Sequence, residues 1–166
     1  DIIIGLAEQR EGWTGRDDEY PHYAFYIDGV NFALMKSWLK NHGVPNYPYR
    51  RDKTALIYFR DPSGNLFELY CDSGYGNIDS LPPAPRRGGP AIDFRALNYR
   101  WDGARAFDGN GQLGRPRFIG FAHASVYCHD LEQVKSFFTR VMGGELIHDV
   151  DNFAEVRVAG RRGELR

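Results

Sequence analysis

Apolar and polar positions along this chain follow one design twice, at an offset of 101 residues. Each copy opens with a short alternating stretch, typical of a strand, that begins at His22 or at His123. Apolar residues at three- and four-residue spacing then predict a helix over about residues 31–41 in the first copy, with Asn31 as N-cap, and over about 130–142 in the second. Two strand–helix units of one design predict an α+β fold built from paired modules.

The first copy continues through three more predicted strands. They cover about residues 44–49, 54–60 and 66–71. The last two are joined by the turn Asp61-Pro-Ser-Gly-Asn65, in which proline presets the first bend and glycine tolerates positive φ. Residues 11–72 are therefore expected to form a complete βαβββ module.

The second copy is one strand shorter. Residues 116–166 are expected to form βαββ, with strands near 145–150 and 153–159. Asp130 followed by Gln133 resembles a capping box at the start of the helix. The face that this helix is expected to bury is formed by Leu131, Val134, Phe137, Phe138 and Val141.

A strand-like stretch at the start of the chain has no partner immediately before it. Residues 1–10 contain the β-rich run Ile2–Gln9 and are expected to supply the strand that the second module lacks. The modules would then occur in circularly shifted order, or the chain would be a window cut from a longer tandem array.

Residues 73–115, between the modules, lose all regular pattern. Gly, Pro and Arg dominate there, as in residues 81–90, which predicts a linker or a surface-wrapping arm. Four apolar side chains of this segment are expected to dock locally, and a neighbouring subunit is one surface that they could cover: Phe94, Leu97, Tyr99 and Trp101.

Composition narrows the functional classes. With 42% apolar and 14% aromatic residues the chain can bury a globular core, and a formal net charge of −1 implies no nucleic-acid or membrane partner. No run approaches the roughly 20 apolar residues of a membrane span, and no charged-then-apolar leader opens the chain. Cys71 and Cys128 are too few for a disulfide scaffold and suit a reducing compartment, so a cytoplasmic protein is expected.

Strand alternation groups the candidate chemical residues by face. His22 and His123 begin their strands, and Glu68 lies on the face of its strand opposite Phe67 and Leu69. Two imidazoles and one carboxylate from three strands would leave coordination positions open on a divalent metal, as catalysis requires. The alternative is that the histidines are ordinary hydrogen-bonded strand residues. A carboxylate inside an apolar strand is harder to explain in that way, because an unpaired buried charge is costly.

One motif resembles a known family. The segment Tyr58-Phe-Arg-Asp-Pro-Ser-Gly-Asn-Leu-Phe-Glu68, together with the openings His22-Tyr-Ala-Phe and His123-Ala-Ser-Val, resembles the vicinal oxygen chelate superfamily. That superfamily includes glyoxalase I, fosfomycin-resistance proteins, extradiol dioxygenases and bleomycin-binding proteins. The resemblance covers residues 1–72 and 116 to about 160. It implies that paired βαβββ modules close into a cup-shaped mixed sheet around one divalent metal, held by His22, Glu68 and His123.

The resemblance also implies a function. It indicates a metal-dependent enzyme, using Fe, Mn, Zn, Ni or Co, that chelates two neighbouring oxygens of a small substrate with dioxygenase-like or glyoxalase-like chemistry. Tyr58 would face the cup and orient substrate or donate a proton. Two alternatives stay open: a fosfomycin-type enzyme that opens an epoxide, and a metal-free binding module of the bleomycin-resistance type. A homodimer is expected.

The chain departs from each branch of the superfamily at one place. Gly5 stands where glyoxalase I has a second acidic ligand, and residues 1–21 lack the additional catalytic histidine of extradiol enzymes. The serine-rich potassium loop of fosfomycin transferases is replaced by Arg50-Arg-Asp-Lys-Thr54. The sequence therefore leaves the reaction open.

Overall fold

The computed structural model describes residues 21–84, 92–100, 116–126, 128–150 and 153–157. The chain divides into two compact units, which meet at residues 126 and 127. In the first unit, the elements are β1 His22–Tyr26, α1 Gly29–Asn41, β2 Asn46–Arg51, β3 Thr54–Arg60, β4 Leu66–Cys71 and β5 Gly120–Ser125, with short 3₁₀ helices at Ile78–Ser80 and Phe94–Leu97. In the second unit, they are α2 Leu131–Ser136, a π-helical turn Phe137–Val141, β6 Glu145–Val150 and β7 Phe153–Arg157.

A five-stranded mixed sheet organises the first unit. Its strand order is β2-β3-β4-β1-β5. β1 runs parallel to β4, whereas the other neighbours are antiparallel. The parallel pair is joined through α1, β2 and β3, in the order βαβββ that the sequence predicts. The expected α+β class with a mixed sheet is confirmed, and the bounds of β3 and β4 are those predicted.

The two faces of this sheet have different chemistry. One face packs on α1 through a core that includes Phe25, Ile57 and Leu69 from the sheet and Phe32 and Leu39 from the helix. The other face carries the polar candidates, because strand residues alternate between faces. Because the apolar face packs on α1, the polar candidates all lie on the opposite face of the sheet, where they could form a site.

The first helix begins earlier than the sequence indicates. Asn31 was the expected N-cap, but the helix starts at Gly29 and Asp28 is the cap. The Asp28 carboxylate accepts hydrogen bonds from the backbone N–H of Asn31, at 2.8 Å, and from its side-chain amide, at 2.7 Å. These bonds from Asn31 lower the pKa of Asp28. The prediction failed because Asp and Asn both favour the N-cap position, and in this helix Asp28 is the cap while Asn31 donates hydrogen bonds to it.

The second unit buries less than its sequence pattern predicts. Asp130 is the N-cap as expected, since its carboxylate accepts the N–H of Gln133 at 2.9 Å. The predicted buried face is wrong for Phe137, which is 50% exposed, and for Val141, which is 69% exposed, whereas its other three residues are half-buried. An apolar stripe needs a surface to cover, and the described residues of this unit provide a sheet of only two strands, β6 and β7.

Part of the predicted arm docks on its own sheet. Leu97 is buried against Tyr49, Leu56 and Tyr58 on the face opposite α1. This contact agrees with the expectation that the apolar side chains of the arm dock locally. Trp101 and the predicted strand within residues 1–10 lie outside the described residues.

Among the described residues, no helix has the length and apolar character needed to cross a membrane.

Candidate metal centre

Strand pairing places the two histidine strands side by side. β1 and β5 are antiparallel neighbours, with His22 opposite Ser125 and Ala24 opposite His123. Paired antiparallel strands are related by a local twofold axis, which here passes beside the pair Tyr23–Ala124. His22 and His123 therefore occupy equivalent positions around this axis. The repeat in the sequence is present in the sheet as a local symmetry.

The carboxylate comes from the strand on the other side of β1. Glu68 of β4 lies opposite Ala24, which on its other side lies opposite His123. Ala24 is thus the residue between two of the three candidate ligands, and it is fully buried. Its single methyl group leaves the space between them open.

The turn before β4 is held by specific bonds, which set the start of the strand that carries Glu68. The Asp61 carboxylate accepts hydrogen bonds from the backbone N–H of Asn65, at 2.8 Å, and from its side chain, at 2.7 Å. Gly64 has φ 90°, which a side chain would strain. The buried guanidinium of Arg60 donates to the carbonyl of Gly64 at 2.8 Å. Within the Asp-Pro-x-Gly-Asn motif, Asp61, Gly64 and Asn65 therefore each have a separate structural role in forming the turn.

Three ligand atoms converge in a compact triangle. Nε2 of His22 and Nε2 of His123 are 3.2 Å apart, and they lie 3.4 Å and 3.1 Å from Oε2 of Glu68. Ligand atoms about 2.1 Å from a shared cation are separated by about 3.0 Å in octahedral and about 3.4 Å in tetrahedral geometry. The edges of the triangle match this range, so the residues present fit a single divalent metal. This is the one such His/Cys/Asp/Glu group among the residues that the structure describes.

The protonation state of Glu68 suits a cation ligand. Burial alone raises the pKa of this carboxyl, but hydrogen bonds from His123 and His22 outweigh burial and hold the pKa at about 2. Glu68 is therefore ionised at neutral pH. The donor set consists of two imidazoles and one carboxylate, a combination that iron, zinc and related metals accept.

The triangle is closed on one side and open on another. The side chains of His22 and Glu68 are 4% and 3% exposed, whereas that of His123 is 40% exposed. Tyr70 borders this side, with its ring centroid 6.1 Å from that of His123. The site is therefore open to solvent beside His123. The other described histidines lie outside this group.

A β-bulge in β5 was not predicted. Ala24 pairs with His123, but Phe25 pairs with Phe121, so Ala122 is an extra residue on β5. Regular alternation would place Phe121 on the face of His123. The bulge instead brings Phe121 to the apolar face, where its ring lies 5.8 Å from that of Phe25. The conflict between a phenylalanine and a polar face is the sequence signal that could have indicated the bulge.

Tyr58 lies on the ligand-bearing face, directly opposite Glu68 in the register of β3 and β4. Its ring centroid is 5.5 Å from that of His22, at an interplanar angle of 75°. Tyr58 is 1% exposed, and Tyr49 and Phe94 pack against it. Sequence reasoning did not identify these two aromatic neighbours, because nothing in the periodicity brings residue 94 to β3.

Two curated bacterial proteins are similar to this chain. The glutathione transferase FosA of Serratia marcescens is 25% identical over 87 residues, which cover 52% of this chain and 62% of that protein. The metallothiol transferase FosB of Staphylococcus saprophyticus is 32% identical over 95 residues, which cover 55% of this chain and 57% of that protein. This chain thus spans about three fifths of their length. No protein-family model matches it.

A solved structure has a similar fold. The structure of a candidate dioxygenase from Bacillus subtilis matches 89% of this chain and 41% of its own length, with a TM-score of 0.53 and 16% identity. At this identity the likeness shows the fold alone. The similarity to FosA and FosB supports the resemblance of this chain to the vicinal oxygen chelate superfamily, and the solved structure agrees in fold.

Replacement of Ala24 tests whether the space between the ligands is needed. We expect Ala24→Val to raise the Kd for Zn²⁺ or Mn²⁺ by at least about tenfold, because a branched side chain crowds His123 and Glu68. Isothermal titration calorimetry measures this change. The matched control is Ala55→Val, which fills an equally buried position on the α1 face. The control should lose stability yet keep its Kd, and an unchanged Kd in Ala24→Val would show that spacing does not limit binding.

Proposed function

We propose that this chain is a divalent-metal-dependent enzyme of the vicinal oxygen chelate type, acting on a small molecule. His22, Glu68 and His123 would hold the metal. The observation that carries the proposal is the triangle of three ligand atoms, 3.1–3.4 Å apart, with one accessible side. A metal bound there supplies Lewis-acid chemistry to two neighbouring substrate oxygens.

The residues of the chain prepare this site for such chemistry. Glu68 is ionised and buried, so its negative charge acts at short range in a poorly solvated place. Three protein ligands leave coordination positions free on a metal that accepts five or six ligands. The exposed side of His123 is where substrate would enter, and burial of His22 and Glu68 excludes water from the opposite side.

These ligands favour divalent transition metals. A set of two histidines and one carboxylate is suited to Fe, Mn, Zn, Ni and Co. The similarity to a metallothiol transferase supports a metal at the site without indicating which.

A second candidate function is transfer of a thiol to an epoxide, as in fosfomycin resistance. Similarity to a glutathione transferase and to a metallothiol transferase favours it. One observation counts against an identical mechanism: within residues 50–54, only residues 52 and 53 connect β2 to β3, and Asp52 has φ 53°. Such a short hairpin has no room for a potassium-binding loop.

A dimer and a cytoplasmic location are further parts of the proposal. The second unit exposes large apolar side chains, and a concentration of such residues often marks an interaction surface. The examples include Phe137, Val141, Met142 and Ile147. Cys71 and Cys128 are both free thiols, in keeping with a reducing compartment.

Loss of any one ligand should abolish stoichiometric metal binding. We expect close to one equivalent of metal in the native protein after reconstitution, and less than about a tenth of an equivalent in His22→Ala, His123→Ala or Glu68→Gln. Plasma mass spectrometry of the purified proteins provides the measurement. His129→Ala is the control, since His129 is exposed and outside the triangle. Native protein that stays empty with Fe, Mn, Zn, Ni and Co alike would instead support the bleomycin-type binding module.

A panel of substrates distinguishes the candidate reactions. After anaerobic reconstitution, we expect metal-dependent turnover with one of three substrate classes: catechols with O₂, fosfomycin with a thiol, or hemithioacetals. Turnover should fall at least about a hundredfold in Glu68→Gln, because the weakened site loses the Lewis acid. Product formation is followed by mass spectrometry. Equal turnover by the native protein and the variant would show that the triangle does not carry the reaction.

Sedimentation velocity tests the proposed dimer. We expect a dimer at micromolar concentration, and a shift towards monomer when Val141→Lys places a charge within the exposed apolar surface. The control is Val30→Lys, an exposed valine on α1 in the first unit. A native protein that is monomeric and well folded across the concentration range would contradict this part of the proposal.

A further inference from the structure

Aromatic rings on the ligand-bearing face form a packed series that ends at a candidate ligand. Phe94 meets Tyr58 with ring centroids 5.3 Å apart and an interplanar angle of 72°. Tyr58 in turn lies edge-on to His22 at 5.5 Å and 75°. Tyr49, from β2, stacks on Tyr58 at 5.7 Å and 18°. Tyr58 is thus in contact with three rings, one of which belongs to the metal triangle.

The surroundings of Tyr58 leave little room for substrate. Tyr58 and Tyr49 are each 1% exposed, and Leu97 closes the cluster at 3% exposed. The accessible side of the triangle is at His123, whereas Tyr58 borders the buried His22. A small molecule at the open side would therefore meet His123 before it met Tyr58.

A metal ligand needs its ring held in a defined orientation. The outer torsion of a histidine side chain has broad energy minima, so neighbouring groups must select one ring angle. A metal site tolerates errors of only about 0.5 Å and 10–20° in its ligands. The edge of the Tyr58 ring against the His22 imidazole provides such a constraint, and it is available before any metal binds.

We propose that Tyr58 is a positioning residue that fixes the imidazole of His22, and that residues 92–98 are a strap that holds Tyr58 in place. This inference rests on the proposed function, because it concerns readiness for metal binding. The inference assigns a structural role to residues 92–98, whose sequence has no regular pattern. Phe94 and Leu97 act through the tyrosine ring, and the positioning role belongs to that ring.

Cobalt titration tests the role directly, because the visible bands of bound Co²⁺ report ligand geometry as well as affinity. We expect Phe94→Ala and Tyr58→Leu to weaken Co²⁺ binding by about tenfold to a hundredfold and to change the bands. Tyr58→Phe keeps the ring and should bind Co²⁺ within about twofold of the native protein, with unchanged bands.

Phe67→Leu is the matched control for lost aromatic packing. Phe67 stacks on Phe59 at 5.7 Å, on the face that packs against α1. This variant should be destabilised yet retain native Co²⁺ affinity and bands. Circular dichroism checks the fold of every variant, and Phe94→Ala decides the outcome if Tyr58→Leu does not fold, since Phe94 is only partly buried.

The possible failures can be told apart. A native protein that binds no Co²⁺ would overturn the proposed function. Native binding together with unaltered affinity and bands in Phe94→Ala would overturn only the positioning role, as would an equal loss of affinity in Phe67→Leu.

Discussion

The register of β1 is the constraint on which the site depends. This strand is paired on both sides, and one residue, Ala24, lies opposite Glu68 on β4 and opposite His123 on β5. A slip of one residue at either edge would turn a ligand to the other face of the sheet. What holds the register is the apolar face, where Phe25 and Ile27 are buried in the core that includes α1. Hydrophobic packing on one side of the sheet therefore determines the polar geometry on the other.

Electrostatics explains why the three polar side chains stay together. An ionised carboxylate that is 2% exposed needs compensation, because desolvation of a lone charge costs several kcal/mol. The imidazoles provide it through hydrogen bonds, which lower the pKa of Glu68. A neutral imidazole, however, uses Nε2 either as a donor or as an acceptor. With Nε2 protonated, both imidazoles can donate to Glu68; with Nε2 unprotonated, both lone pairs would be available to a cation together with the carboxylate.

Sequence reasoning succeeded where local chemistry determines structure. The bounds of β3 and β4 were predicted because the turn between them contains proline, glycine and asparagine at positions that demand them. Alternation along strands also predicted that His22, Glu68 and His123 share a face, whereas their role as metal ligands stays a prediction. Sequence reasoning failed where long-range packing determines the structure. The apolar stripe of the second helix shows a capacity for burial but not the surface to be covered, and the bulge at Ala122 breaks the alternation that the prediction assumes. The docking of Phe94 on Tyr58 joins segments with no shared periodicity.

The length of the connection between β4 and β5 has little influence on where His123 lies. His123 reaches its place by pairing with β1, so its position is set by the ladder and only weakly by the length of chain that precedes it. Lengthening such a connection costs little, about 0.6 kcal/mol for each doubling, because loop-closure entropy grows with the logarithm of length. Insertions and deletions on either side of residues 92–98 can therefore accumulate while the triangle persists. The proximity of the three side chains is thus a property of the sheet, largely independent of the route that the chain takes between β4 and β5.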